Sequence, residues 1–382
     1  MSLRVLVIHP HLDILGGSEI LTKILIYELE SLGHEIIVLA KSRNEKEFPI
    51  TKHVKFEYIK DISSEYELGK KVTKYTSRLL NILYSIDEVV RNHEPQVSLT
   101  MIQEPIYCTL LKLVNPKLGT GIYIHYPFEE ELSKENIEIF LNLYRFPGRY
   151  EDMFRYVDLH LTNSNYTASA LFKRFKIESN VVYPAIPWRY FKEELDVEEE
   201  RENIIISVGR FVPLKRHDVL INWFKNYIKP RVNDAELVII GLPDVRFKNY
   251  YEKLMKMSSE VSGVTIIDKP LKPEEIIRYY RRAKIYVHLR IGEHFGMAPV
   301  EAISQGAIPI LPEQSGLAEL ITQGKSGFAF HSDEEAINYI IKVLTMPRSN
   351  LIEIRRNAYR KSWYFNPDRF AKEVLNYLKI LV

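Results

Sequence analysis

The chain has 382 residues, of which 46% are hydrophobic and 27% charged, with a formal net charge of +2. That length accommodates two to three domains, and the balance is that of an ordinary globular protein, which argues against wholesale nucleic-acid binding. A single cysteine, Cys108, excludes an intramolecular disulfide framework and a cysteine-based zinc site, and its neighbours Ile106, Leu110 and Leu111 mark it as a buried thiol.

The chain opens on a strand-like run, Val5–Ile8, so no signal peptide is expected. No run of 18 apolar residues follows, so no membrane-crossing helix is expected. Further apolar runs come at Ile36–Leu39, Val97–Met101 and Ile122–Ile124, then at Ile204–Val208, Leu237–Ile240, Val264–Ile267, Ile285–Leu289 and Ile308–Leu311. Continuous Val/Ile/Leu runs fit parallel strands covered on both faces, and their alternation with helical periods fits βαβ units. Between Leu68 and Val90, apolar residues recur every three or four positions, which predicts an amphipathic helix. Lys70, Lys71, Lys74 and Arg78 decorate its other side, and Phe140–Arg149 mixes aromatics with arginines. These segments read either as a membrane-surface contact or as a core-packing helix with a solvated basic edge. A break falls at about 184–203, where Pro184 and Pro187 precede an acidic run, Glu193–Glu202, that reads as a solvated linker or exposed helix. The expected domains are residues 1–186 and 187–364, with a C-terminal helix, 365–382, returning to the first.

Both halves open with strand, loop and helix. In the first, Gly16-Gly17-Ser18-Glu19 ends the loop, with Ser18 as the expected N-cap and Gly33 as the stop. Gly16 and Gly17 either let backbone approach an anionic ligand or simply make a flexible turn. His9, His11, Asp13 and Glu19 match no metal-ligand spacing, so no metal site is expected there. In the second half, Arg210 and Lys215 follow the first strand; they suit a diphosphate, or they are solvated surface cations. His125, at a strand end before Tyr126 and Pro127, either points toward a ligand or is a core or capping histidine. Neither first loop carries a Gly-x-Gly-x-x-Gly fingerprint and no Walker A motif occurs, which counts against a nicotinamide dinucleotide.

The most informative stretch is Glu293-His-Phe-Gly-Met-Ala-Pro-Val-Glu301. It joins a strand-like run to a helix-like run, and that junction is where open α/β sheets bind ligands. Pro299 suits a first helical turn, and the helix start at Phe295, Gly296, Met297 and Ala298 offers N–H groups to an anion. The flanking acids suit hydroxyl recognition on a ribose and a sugar. The alternative is a surface loop with an exposed helix glutamate. Ser315-Gly316-Leu317-Ala318-Glu319 supplies another glycine turn before a helix start.

Together these pieces resemble glycosyltransferase family 4, retaining enzymes with the two-Rossmann GT-B fold. The resemblance rests on the Glu293-x7-Glu301 pattern, Gly209-Arg210-Phe…Lys215, Gly16-Gly17-x-Glu19, and Gly316-Leu-Ala-Glu319…Gly324-x-x-Gly327. In motif style, Ile124-His125-Tyr126-Pro127 is closest to mannosyltransferases of lipid-linked oligosaccharide synthesis; many members carry His-Asp there. The resemblance implies two Rossmann-like parallel-sheet domains facing across a cleft. It implies that Arg210 and Lys215 hold the donor diphosphate, that Glu301 binds ribose hydroxyls and that Glu293 reads the donor sugar. Gly17 would bring backbone near the diphosphate and His125 would stand at the acceptor side. Phe295, Gly296, Met297, Ala298 and Gly16 complete the implied donor set.

The implied function is retaining transfer of a hexose, with mannose as the first candidate, from a GDP- or UDP-sugar to a glycan or lipid-linked saccharide. No cofactor or metal is implied, because fixed cations and helix termini stabilise a departing diphosphate. The expected location is cytoplasmic, with peripheral membrane contact left open. A GT-B nucleotide-sugar epimerase and a non-catalytic sugar-nucleotide or glycan-binding protein are the alternatives.

Overall fold

The computed structural model describes residues 2–13, 16–62, 74–126, 150–191 and 194–382. The chain divides into two compact units, Met1–Ala185 with Pro367–Val382, and Ile186–Asn366.

The first unit is built on a seven-stranded parallel sheet. Its strands are β1 (Arg4–Ile8), β2 (Glu35–Ala40), β3 (Val54–Tyr58), β4 (Val97–Thr100), β5 (Gly119–Ile124), β6 (Leu159–Thr162) and β7 (Asn180–Val181), in the spatial order β3-β2-β1-β4-β5-β6-β7. Side chains alternate between two cores, as a pleat requires. Val5 and Val7 enter one core together with Ile36 and Val38, while Leu6 and Ile8 enter the other with Ile37 and Leu39. Helix α1 (Gly17–Ser31) covers the first face through Leu21, Leu25 and Leu29. The second face takes α2 (Lys74–His93) and α3 (Ile106–Val114). Cys108 is fully buried on α3, and burial pushes its thiol up to about 12, so it is an inert packing residue. Helix α4 (Asn165–Phe175) starts on Ser164, whose hydroxyl accepts the Thr167 N–H. The C-terminal helix α11 (Pro367–Leu378) lays Phe370, Val374 and Leu378 into the same core as α1.

The second unit repeats the plan with six parallel strands. They are β8 (Glu202–Val208), β9 (Glu236–Ile240), β10 (Val264–Ile267), β11 (Ala283–Val287), β12 (Ile308–Pro312) and β13 (Phe328–Phe330), ordered β10-β9-β8-β11-β12-β13. Around them lie α5 (His217–Trp223), α6 (Lys248–Ser259), α7 (Pro273–Arg282), α8 (Met297–Ser304), α9 (Asp333–Thr345) and α10 (Arg348–Ser362). In both sheets the strand order reverses beside the first strand, between β1 and β4 and between β8 and β11. This is the doubly wound order, whose ligand crevice opens at the carboxyl ends of the strands at that reversal. No described helix is long and apolar enough to cross a membrane.

Two expectations need correction. Ser18 is not the cap of α1: Gly16 occupies that position, and its N–H donates to Glu19 Oε2 at 2.8 Å while Ser18 Oγ donates to Glu19 Oε1. A carboxylate three residues into a helix serves the orphan N–H better than a hydroxyl one residue in. The acidic run is neither a free linker nor a helix. Its acid side chains are mostly exposed, yet Leu195 and Arg201 are buried and Arg355 Nη1 donates to the carbonyls of Val197 and Glu199. The predicted helix start at Leu68, with Lys70 and Lys71, and the Phe140–Arg149 segment lie outside the described residues.

Gly306 ends α8 with φ +89°, and a Cβ there would meet Arg201 Nη2 at 2.9 Å and Leu195 Cδ2 at 3.0 Å. Strain at such a position costs about 1–3 kcal/mol. Gly306→Ala is therefore expected to lower the urea midpoint by that equivalent; an unchanged midpoint would show that this corner yields freely.

Candidate functional site

The second unit's crevice is made by two loops that leave neighbouring strands. One follows β8 and carries Gly209, Arg210 and Lys215; the other follows β11 and carries His288, Arg290 and Glu293. The first loop lies hard against the turn after β9, where a Cβ on Gly241 would fall 2.0 Å from the Gly209 carbonyl oxygen. Only glycine permits that approach. The loop then closes in a short turn, Pro213–Lys215, and Arg216 takes a left-handed φ of +54° before α5 begins. The second loop is clamped by backbone bonds: Gly316 N–H donates to the Glu293 carbonyl and Gly292 N–H to that of Gln314, both at 2.8 Å.

These constraints bring Lys215 and Glu293 together across 78 residues of sequence, Nζ to Oε2 at 2.5 Å. His288 Nε2 reaches the same oxygen at 2.9 Å, and Arg290 Nη1 stands 3.7 Å from Oε1. The side chains of Lys215 and Glu293 are only 19% and 13% exposed, so the pair is largely withdrawn from water. Burial alone would raise the Glu293 carboxyl, but Lys215 above all, then His288 and Arg290, hold it well below the ordinary carboxylate range. Burial and the Lys215 charge lower His288, against the pull of Glu293, so the ring is neutral at pH 7. Glu293 is then an acceptor only, and His288 must present Nε2–H to it.

Helix α8 begins beside this cluster. Gly296 caps it with φ +86°, a conformation that favours glycine, and Met297, Ala298 and Pro299 make its first turn. Phe295 is buried against Phe365 with ring centroids 5.6 Å apart. Glu301, one turn in, accepts from the Tyr280 hydroxyl at 3.3 Å. Its environment is the reverse of that of Glu293. Burial raises its carboxyl, partly offset by the Tyr190 and Tyr280 hydroxyls and Arg189.

Not every nominated residue joins this cluster. Arg210 is 67% exposed and pairs with Asp244 at 3.3 Å, an acid that also holds Arg246. Gly16, Gly17 and His125 belong to the first unit's own crevice. There His125 Nε2 bonds the Met101 carbonyl at 3.0 Å, just past β4. His9 is buried and lowered to about 3, by desolvation first and then by His125 and His11. Its Nε2 stands 3.5 Å from Glu19. Among the described residues no group of three His, Cys, Asp or Glu is placed to hold a metal ion. The sequence reading missed His288, Arg290, Tyr190 and Tyr280. The signal for His288 was its place one residue beyond β11, the position in a parallel sheet that faces the crevice.

Residues 191–361 match the family described as Glycosyl transferases group 1. The matched span falls within the second unit and includes Arg210, Lys215, His288, Glu293 and Glu301. Similar curated proteins include a GDP-Man:Man(3)GlcNAc(2)-PP-Dol alpha-1,2-mannosyltransferase from Neurospora crassa, 24% identical over 75% of this chain and 55% of that protein. Its human counterpart is 24% identical over 74% of this chain and 58% of that protein. A Salmonella typhimurium lipopolysaccharide 1,2-N-acetylglucosaminetransferase is 22% identical over 79% and 77%. The chain spans about half the length of the alpha-1,2-mannosyltransferases of this name that it matches. Among solved structures, sucrose-phosphate synthase from Thermosynechococcus elongatus superimposes with a TM-score of 0.77 at 15% identity, covering 100% of this chain and 99% of that one. Anabaena Alr3699/HepE in complex with UDP gives 0.74 at 14% identity, covering 99% and 100%. At such identities the likeness establishes the fold, two Rossmann-like parallel-sheet domains of the GT-B type.

The two acids give opposite pH signatures. Glu301 keeps its proton in the native state to higher pH than when unfolded, so stability falls as pH rises from the unfolded value, about 4.3, through the raised native value. Glu293 is depressed, so its contribution is present above the unfolded value and is lost only as pH falls through the native one. Glu301→Gln is expected to unfold at higher urea than wild type at pH 7.5, with the gap narrowing toward pH 4.5. A constant gap across that range, or a less stable variant at pH 7.5, would contradict the assigned burial.

Proposed function

We propose that this protein is a retaining hexosyltransferase that uses a nucleoside-diphosphate sugar. The observation that carries the reading is the Lys215–Glu293 pair, held at the sheet's reversal point beside the start of α8. A diphosphate entering there meets a cation already desolvated and aimed, together with the unpaired N–H groups of a helix start. Lys215 exchanges its carboxylate partner for phosphate oxygens and stabilises the charge that builds as the diphosphate departs. Arg210, on the same loop, turns from Asp244 to share that charge. Fixed cations in this role make a bound metal unnecessary.

The two glutamates divide the hydroxyls. Glu301 has a raised, partly desolvated carboxyl with tyrosine neighbours and no cation bonded to it among its described contacts, which suits neutral donors such as the two hydroxyls of a ribose. Glu293, with His288 and Arg290 still beside it, takes the hydroxyls of the donor sugar. The first unit serves the acceptor in this reading, with Gly16, Gly17 and His125 around its own reversal point. Retention, with departure and attack on one face of the sugar, is carried over from glycosyltransferase family 4, which the motifs resemble.

The names of the similar proteins support a GDP-mannose donor and a lipid-linked saccharide acceptor. The UDP bound in the HepE structure keeps a UDP-hexose as the competing donor. A lipid-linked acceptor puts the protein at a membrane surface on its cytoplasmic side.

Lys215→Ala is expected to lower transfer from the accepted nucleotide sugar by about 10²–10³-fold, the usual cost of one fixed donor to a developing charge. Transfer by the wild type should persist in excess EDTA. Near-wild-type turnover in Lys215→Ala would overturn the phosphate role, and loss of turnover in EDTA would overturn metal independence.

A further inference from the structure

The exchange just described leaves a problem that the geometry answers. When Lys215 turns to phosphate, Glu293 loses the partner that above all keeps its carboxyl ionised, and its side chain, 13% exposed in the free protein, has little water to replace it. Arg290 is 3.7 Å away, beyond hydrogen-bond reach. His288 alone among the described neighbours keeps a close bond to the carboxylate, Nε2 to Oε2 at 2.9 Å. Its own backbone is fixed, the N–H donating to the Ile310 carbonyl at 3.1 Å on β12, and its side chain is 5% exposed. A neutral, immobile donor on a rigid strand end is suited to hold an anion in place without competing with the phosphate for Lys215.

We propose that His288 is a positioning residue that holds Glu293 in register for the donor sugar's hydroxyls once Lys215 has moved to the diphosphate. The inference rests on the donor reading of this site. It says something that reading does not: His288 acts on the sugar part of the donor and not on the nucleotide part. His288 occupies one lone pair of Oε2, so Oε1 and the Oε2 site that Lys215 vacates are offered to the sugar, with the carboxylate's direction set by the imidazole.

The test compares a nucleotide sugar with its free diphosphate, GDP-mannose with GDP and UDP-glucose with UDP, using whichever pair stabilises the wild type. In His288→Phe the free diphosphate should bind within about twofold of wild type, while the sugar nucleotide weakens and kcat falls by about 10- to 100-fold, the loss of a charge-assisted hydrogen bond. His288→Gln, whose amide N–H reaches a similar point, should restore sugar binding and turnover to within about threefold. Equal weakening of both ligands in the Phe variant, or no recovery in the Gln variant, would make His288 a packing residue and overturn the inference alone. Lys215→Ala separates the two claims. If it binds the free diphosphate like wild type, or if neither pair stabilises the wild type, the donor reading itself fails.

Discussion

The site depends on one ion pair withdrawn from water. Two charges are costly to desolvate, and removing one partner of such a pair typically costs about 3–5 kcal/mol because the other is left uncompensated. Lys215 and Glu293 therefore hold each other in the free protein, at 2.5 Å and with little exposure. The same cost explains why the pair is suited to exchange. In the proposed exchange an incoming diphosphate takes over Lys215, while His288 and Arg290 stay beside Glu293.

The fold supplies the precision. In a doubly wound sheet the loops after the first and fourth strands diverge, and the gap between them is where residues far apart in sequence converge. Here each loop is fixed by something specific. The contact of Gly241 with the Gly209 carbonyl pins one, and the Gly292 and Gly316 backbone bonds pin the other. The positions from which the cluster's side chains start are therefore set by backbone geometry. Glu301, placed on a helix with tyrosines around it, has the opposite electrostatic character although only seven residues separate it from Glu293.

Much of this was legible in the sequence because burial on both faces writes strands as continuous Val/Ile/Leu runs. The strands that such runs do not announce are β3, which alternates Val54-Lys-Phe-Glu-Tyr58 at a sheet edge, and β6, β7 and β13, which are too short to be distinctive. Glu293, Lys215 and the glycine turns could be nominated because their residue types are unusual at strand ends. Their mutual distances could not be, since the partners lie 78 residues apart. Arg210 illustrates the limit: sequence placed it beside Lys215, but Asp244 on a neighbouring loop draws its guanidinium away. His288 was passed over because a histidine ending an apolar strand reads as core until its partner is known. The cap of α1 was misassigned for a related reason: two candidate acceptors, Ser18 and Glu19, stood side by side, and only geometry chooses between them.

The most direct test of the exchange is calorimetric titration of free GDP and UDP into the wild type and Glu293→Gln. Neutralising Glu293 releases Lys215 without removing it. The account predicts that the variant binds the free diphosphate more tightly than wild type while its transfer activity is lost. Weaker diphosphate binding in Glu293→Gln would contradict it, because Glu293 would then be supporting the anion site and not competing with it for Lys215.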